Sequence, residues 1–463
     1  MKWLTRPLNS LLCWLALAAL LFTACSPGIG EEQGKGRHSG KVLATVVNAP
    51  AAQAVQVPVA AVGFTPQTRL GFSAGDQWEP AIAADRNGHV YLLYPQYQGV
   101  PGCPTCFSPT LILQISSDRG ANWATPVQIH PAGASSGQWD AQIVVDPVDG
   151  QTIYTAWLQN GKSDTVVAKS TDFGVTWSVV VANRTNAGTD KPILVVRGPH
   201  VYVGYNHAQK VWVSASHDGG STFTSTDIKK TGKLGWSLAG GGAVDPAGVV
   251  YFSWAGYAQN GGAKGPVNLY ISKSADGGVT WTTQTLDVSG APPDCAAYQC
   301  GWAYLGAQMT MAADASGTLY ALWNAGSVDK GPERVYFALS TDGGTTWSPK
   351  ADVSSAPAGT SHAFPAIAAG AEDDVRIAWM DTRAGALWNT FYRSSSDGGA
   401  TWTAEVDLST YVAGFDYIKP DGFTFPFGDY YELDIDDRGD THVIWGEGLN
   451  YEGPGSIWYS RGR

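Results

Sequence analysis

The chain has 463 residues, 44% of them hydrophobic and 15% charged, which is enough apolar material for a large core and excludes a disordered chain. Its 56 glycines stand beside 19 tryptophans and 20 tyrosines, a pairing of turn formers with sheet-packing residues that points to an all-β fold. The formal net charge of −11 repels phosphate backbones and anionic headgroups, so nucleic acid is not an expected partner.

At the N-terminus, Lys2 and Arg6 precede an apolar run from Leu11 to Leu21, which is followed by Phe22-Thr23-Ala24-Cys25. Basic, apolar and small-residue zones in that order are those of an export signal. The last four residues resemble a bacterial lipobox, with Phe22 where Leu is usual. The resemblance implies that 1–25 is a lipoprotein signal peptide and that Cys25 becomes the lipidated first residue, an extracytoplasmic anchor at the cell envelope. An ordinary cleaved signal is one alternative. A membrane-spanning helix is the other, weakened because the run falls short of the roughly 20 residues that cross a bilayer. Residues 26–55 are small, polar and rich in Gly and Ala, as expected for a flexible tether. Residues 56–463 are then the folded domain.

Two units alternate along that domain. One is an apolar strand usually ending in Asp, a Gly turn and a strand of the form V-Y-x-x-W; it occurs seven times, at 81–94, 143–157, 193–205, 243–254, 311–323, 367–379 and 433–445. The other is a turn, Ser116-Ser117-Asp118-Arg119-Gly120-Ala121-Asn122-Trp123 in its first copy, repeated at 170–177, 216–223, 274–281, 340–347 and 395–402. Its chemistry suits a hairpin tip: Ser and Asp bond to nearby backbone, Gly accepts positive φ, and the aromatic packs between sheets. Repeats of this length predict a β-propeller. Seven units against six turns leave the last blade one strand short, since Ile457-Trp458-Tyr459-Ser460 is followed by no turn. Residues 64–70 match the strands that follow the turn elsewhere, such as 124–129. A ring closed by this N-terminal strand removes open edges, so seven four-stranded blades are expected, with six as the alternative. The repeated turn resembles the Asp box, or BNR repeat, of sialidase-like propellers, whose best-known members have six blades.

In a four-stranded antiparallel blade the repeated turns share one face with the first hairpin, and the remaining connections share the other. The long connections, 95–110, 255–266, 289–306 and 410–428, all fall on that second face, which is therefore the expected site of function. Counting back six residues from the Asp that ends the innermost strand gives Glu79, Asp140, Ala239, Gln308 and Tyr430 around the channel mouth, and neighbouring pattern adds Asp190 and Phe364 in the two copies that lack this Asp. Carboxylates from three successive blades can supply the acid and base of glycoside hydrolysis, or they cap strand ends. Trp78 and Trp139 stand beside two of these acids, placed either to stack on a sugar or to pack between blades. A second group is Asp381, Arg383 and Arg393, with Glu447; an Arg fork binds carboxylates, although Asp381 and Arg383 can pair with each other.

The sialidase resemblance implies three arginines, a Tyr and Glu pair and an Asp acid/base. Arg334, Arg383 and Arg393, with Tyr430 or Tyr431 and Glu432, are the residues available for those roles, and the Arg-Ile-Pro stretch of that family is absent. Cys103, Cys106, Cys295 and Cys300 form two short-spaced pairs, read as one disulfide within each long loop of an exported protein. A Cys₄ zinc site would require the two loops to meet. His89, His130, His200, His207, His217, His362 and His442 show no ligand spacing, and neither metal nor cofactor is expected. The sequence thus predicts an envelope-anchored, monomeric propeller whose ligand is a glycan or other extracellular molecule. It acts either as a sialidase-like glycoside hydrolase or as a non-catalytic glycan- or protein-binding module.

Overall fold

A computed structural model describes residues 37–46, 60–72, 74–129, 135–186, 188–228, 234–259, 264–293, 305–383, 388–409, 428–448 and 455–463. Cys25 and the Cys295/Cys300 pair lie outside the described residues. Each V-Y-x-x-W unit folds as a hairpin, and a local hydrogen-bond scheme explains its sequence. The Asp that ends the first strand accepts backbone N–H groups of the turn and, six residues on, the Tyr hydroxyl. The Asp85–Tyr91, Asp245–Tyr251 and Asp314–Tyr320 pairs lie at 2.8, 3.0 and 2.8 Å. The Trp of the same strand is buried: Trp157, Trp254, Trp323, Trp379 and Trp445 all lie between sheets. Each removes roughly 150–250 Å² from water, a gross gain of roughly 4–6 kcal/mol at about 25 cal/mol/Å².

Strands A to D of one blade pair in chain order, as Gln138–Val145, Ile153–Gln159, Asp164–Ser170 and Thr176–Arg184 do in blade 2. Blades 3 to 6 repeat this, with innermost strands Asp190–Arg197, Trp236–Val244, Met309–Ala313 and His362–Ala369. In blade 1 strand A is broken into Asp76–Gln77 and Ala81–Ala84, both paired with Val90–Tyr97. Blade 7 takes Glu432–Ile435, Thr441–Gly448 and Gly455–Gly462 from the C-terminal end of the chain and Thr68–Leu70 from the N-terminal end. The chain is a seven-bladed β-propeller. The inner strands of all seven blades surround a central cavity of about 850 Å³.

The six repeated turns are nearly superimposable in their bonding. In every copy the Ser hydroxyl meets the Asp carboxylate at 2.7–2.9 Å. That carboxylate also accepts the amide four residues on at 2.7–2.9 Å. Two successive residues have positive φ, which explains Gly-Gly in four copies, for example Gly343 at 65° and Gly344 at 71°. The other two copies place Arg119 and Phe173 in the left-handed region, at 60° and 59°. Neighbouring blades hold both: Arg119 pairs with Asp436 at 2.9 Å and with Asp437, and the Phe173 ring lies 4.5 Å from that of His89.

One segment departs from expectation. Within the stretch read as a tether, Arg37–Val46 is a strand that pairs with Thr176–Arg184 and Val127–Ile129, joining blades 1 and 2 into one sheet. The outermost strand of blade 2 is nine residues long, an open edge that a β-prone segment such as Lys41-Val42-Leu43-Ala44-Thr45-Val46 can cap.

The ring closes between blades 7 and 1 as the repeat count predicts. Thr68, Arg69 and Leu70 pair with Tyr459, Trp458 and Ile457, and Arg69 donates to Ser456 Oγ at 2.9 Å and to the Phe72 carbonyl at 3.0 Å. Inside the channel, Asp434 accepts the Ala84 amide at 2.8 Å and Glu432 accepts that of Ile82 at 3.1 Å. Deleting 456–463 removes most of the strand at this seam and is expected to abolish cooperative unfolding by circular dichroism. A truncated chain with an unchanged melting temperature would refute closure as the stabilising element.

Candidate functional site

The channel mouth is built on a repeated backbone irregularity. Glu79, Asp140, Lys191 and Phe364 have φ of 54°, 57°, 49° and 54°, and strand pairing shifts register at this point in blades 2, 3 and 6. A left-handed non-glycine residue costs of order 1–3 kcal/mol, a strain that surrounding structure must hold. The blade 3 position is therefore Lys191, a correction to the neighbouring pattern that gave Asp190. Arg197 replaces the usual Asp at the end of that strand, and six residues back from Arg197 is Lys191. Ala239 is buried opposite Trp254 and Phe364 enters a hydrophobic cluster, so neither brings chemistry to the mouth.

Asp140 and Asp190 are nevertheless brought together, by a lysine that sequence reasoning missed, with Glu79 near enough to Asp140 for their charges to interact. Lys162 Nζ lies 3.1 Å from Asp140 Oδ2 and 2.7 Å from Asp190 Oδ1. It sits in the B-to-C turn of blade 2, where Asn160, Gly161 and Lys162 are all left-handed at 55°, 66° and 61°. The turn is pinned by Asn160 to Asp164 at 2.8 Å, by Ser135 N–H to Asn160 Oδ1 at 2.7 Å, and by Gly161 N–H to Ser136 Oγ at 2.8 Å.

These contacts separate the three acids electrically. Burial, reinforced by Asp429 and Asp140, pushes the Glu79 carboxyl well above its ordinary range, and Lys162 only partly offsets this. Burial also raises Asp140, to about 7, with Lys162 opposing and Asp190 adding to the rise. Burial disfavours the charge on Asp190 too, but Lys162, helped by Lys191, outweighs it and holds that carboxyl low. For Lys162, desolvation is overcome by Asp140 and Asp190, so its ammonium is firmly retained. Acids placed in one cluster with divergent proton affinities are the arrangement that acid–base catalysis uses.

Lys191 spans the mouth from blade 3, 3.3 Å from Gln308 Oε1 in blade 5, 3.2 Å from the Asp429 carbonyl and 3.4 Å from its carboxylate. Its ammonium lies 4.8 Å from the centroid of the Tyr430 ring. Tyr430 donates to the Ala141 carbonyl at 3.4 Å, and burial with Glu79 and Asp140 nearby pushes its phenol up, which opposes a nucleophilic phenolate. Tyr431 lies in the core. Glu432 is committed to the wall, bonded to Ile82 N–H and, at 2.6 Å, to Gln142.

Trp78 is 2% exposed and stacked on Tyr97 at 4.2 Å with planes 9° apart, so burial withholds it from a sugar. Trp139 is half-buried beside Asp140. The second expected group is scaffold. Trp379 donates to Asp381 at 2.9 Å and Trp445 to Glu447 at 2.8 Å, the geometry that Trp157 makes with Gln159 at 3.1 Å. Arg383 pairs with Asp381 at 2.6 Å and with Glu405, and its guanidinium covers Phe391 at 3.7 Å. Arg393 donates to the Thr403 and Val353 carbonyls at 2.8 and 2.7 Å, and Arg334 to Asp352 and the Ser354 carbonyl at 2.8 and 2.9 Å. These three arginines stitch blades 5 and 6 and form no carboxylate clamp. Cys103 and Cys106 form a disulfide. Among the described residues no cluster of three His, Cys, Asp or Glu has the geometry to hold a metal.

No family model matches the chain. A xyloglucanase of Paenibacillus sp is 26% identical over 295 residues, which is 62% of this chain and 23% of the enzyme's own length. This chain thus spans about a quarter of that relative. Among solved structures, an ulvan lyase of a new polysaccharide lyase family matches with a TM-score of 0.50 at 12% identity, covering 86% of this chain and 95% of the lyase. The Hadza microbial sialidase Hz136 matches with a TM-score of 0.42 at 13% identity, over 84% of this chain and 66% of its own. The chain is a seven-bladed propeller with glycan-active propellers, sialidases included, among its neighbours.

The buried acids set the pH dependence of stability. A carboxyl whose folded pKa exceeds its unfolded value of 3.8 or 4.5 favours folding while protonated. That contribution is complete below the unfolded value and is lost as pH rises through about 6 for Asp76 and Asp434, about 7 for Asp140 and about 8 for Glu432 and Glu447. The turn aspartates Asp218, Asp276, Asp342 and Asp397, held at about 2 by local hydrogen bonds, work in the opposite sense and lose their contribution only in strong acid. The melting temperature is therefore expected to peak at mildly acidic pH and fall between pH 6 and 8.5, with Glu432→Gln flattening the upper part of the fall. A melting temperature that climbs steadily over that interval would contradict this reading.

Proposed function

We propose that the protein binds a glycan over the channel mouth, on the face opposite the six repeated turns, and that Glu79 and Asp140 exchange a proton with it as in glycoside hydrolysis. One observation carries the proposal. Equivalent strained positions of adjacent blades hold two carboxyls, one kept protonated and the other poised near neutrality, beside an ionised Asp190. Glu79 is the proton donor and Asp140 its ionisable partner, a division of roles that environment alone can create between chemically similar groups. The similarity to a xyloglucanase agrees with a glycan ligand. The six turns are Asp boxes of the sialidase-like kind in this reading, yet among the described residues no arginine clamp of that family stands at the mouth, so the reaction is hydrolysis without recognition of a sugar carboxylate by arginine.

A binding module without turnover is favoured by a different observation. Glu79 is only 2% exposed, and Gly428 lies so close that a Cβ there would come within 2.2 Å of Glu79 Cγ.

A glycan array followed by a hydrolysis screen on the ligands found separates the two readings. Glu79→Gln and Asp140→Asn are expected to lower turnover about 10²–10⁴-fold, the usual span for a general acid or base, with ligand binding retained. Wild-type binding without turnover leaves the module reading, and undiminished turnover in both variants removes this pair from the chemistry.

We further propose that the chain is exported and held at the envelope by a lipid on Cys25. Cys25→Ser is expected to abolish incorporation of labelled palmitate and release the protein from membranes; a variant that remains membrane-bound and labelled would refute the anchor.

A further inference from the structure

The charges at the mouth also bear on which glycan it takes, an inference that rests on the glycan reading above. We propose that the mouth selects an uncharged glycan, and that Asp190 enforces this by occupying the cation to which an acidic sugar would otherwise bind. Two ammonium groups face the mouth among the described residues. Lys191 is 5% exposed at its side chain and lies between Asp429, Gln308 and the Tyr430 ring. Lys162 is 30% exposed at its side chain, so it is the cation an incoming ligand meets, but two carboxylates already hold it at 2.7 and 3.1 Å. Its turn is fixed by three successive left-handed residues and bonds to Ser135, Ser136 and Asp164, so Lys162 stays over the acids. The arginines able to grip a sugar carboxylate are bound to backbone carbonyls and acids of blades 5 and 6.

Four carboxyl groups, Glu79, Asp140, Asp190 and Asp429, therefore surround two lysines. Even with Glu79 protonated, an acidic sugar approaching Lys162 must pass Asp190, whose side chain is 35% exposed, and like charges at such range repel. Hydroxyl groups meet a different surface. The Asp190 carboxylate accepts hydrogen bonds from sugar hydroxyls, and the Lys162 ammonium, with Asp140 and Asp190 on two of its three protons, has one left to donate.

Replacing Asp190 by Asn keeps the shape, removes the competing charge and leaves Lys162 with Asp140 alone. The test is titration calorimetry at low ionic strength on the full chain, with neutral cello- and xylo-oligosaccharides set against glucuronate-containing oligosaccharides and sialyllactose. The wild type is expected to favour neutral ligands by about tenfold or more, and Asp190→Asn to gain about tenfold for the acidic ones. Salt should erase that gain, as should adding Lys162→Met to the Asp190→Asn chain. Matching melting curves establish that the variants are folded. A wild type that prefers acidic sugars in a salt-sensitive way overturns the inference and leaves the proposed function standing. Neutral binding with no gain in Asp190→Asn overturns the role of Asp190. A wild type that binds neither class removes the inference together with the glycan reading on which it rests.

Discussion

Everything in this molecule depends on closing a circle of sheets. An open array of seven blades would leave backbone donors and acceptors unpaired at both ends, and the pairing of Thr68–Leu70 with Gly455–Gly462 removes that liability by joining the two ends of the domain. Closure has a second consequence inside the ring. The innermost strands have no neighbour on the channel side, so their free amides need other partners. At the seam, Glu432 and Asp434 reach across to Ile82 and Ala84. Carboxyls used this way are desolvated and raised in pKa, which makes them structural acids and poor candidates for chemistry despite lining the cavity.

The site arises where this regular lattice is interrupted. A left-handed residue at the mouth end of strand A turns its side chain out of the ladder, and the same strain recurs at Glu79, Asp140 and Lys191. Two acids and a lysine are thereby set by equivalent backbone positions in three consecutive blades. Their charges would be prohibitive if buried singly. The cluster persists because Lys162 and Lys191 compensate it and because Glu79 remains protonated. The same compensation leaves the mouth without a free cation among the described residues.

The architecture was legible because its signals repeat. Seven V-Y-x-x-W units gave seven blades, since each Tyr and Trp answers a recurring hydrogen bond or packing need. The acids were legible by alignment, but the placement by neighbouring pattern fell one residue short in blade 3, where Arg197 stands for Asp. A better signal was present: Lys191-Pro192 matches Glu79-Pro80 and Phe364-Pro365, all followed by an apolar strand. Lys162 was not legible, because its turn belongs to no repeat and its partners lie about 20 and 30 residues away in sequence. Arg37–Val46 was hidden for a related reason: a strand capping an outer edge has no counterpart in the other blades. Trp78 illustrates the converse error, where a residue type suited to sugar stacking is already stacked on Tyr97.

The residues of the repeated turns and the residues at the mouth answer to different constraints. Ser, Asp, Gly and Trp of the turns satisfy local backbone bonds, and any propeller built from such hairpins needs them whatever it binds. Arg383 shows how far the scaffold extends: its guanidinium is held by Asp381, Glu405 and the face of Phe391, and Asp381 in turn repeats the tryptophan-capping role that Gln159 and Glu447 play in other blades. Because that role recurs from blade to blade with Gln, Asp or Glu, the carboxylate beside Arg383 is explained by the fold alone. The mouth residues have no such explanation. No repeat requires a lysine in a triple left-handed turn over two carboxyls, and that strain is maintained where Asp140 and Asp190 of successive blades meet. Resemblance in the turns therefore transfers the fold and carries no information about a ligand, and the proposed site rests on Glu79, Asp140, Lys162 and Asp190 alone.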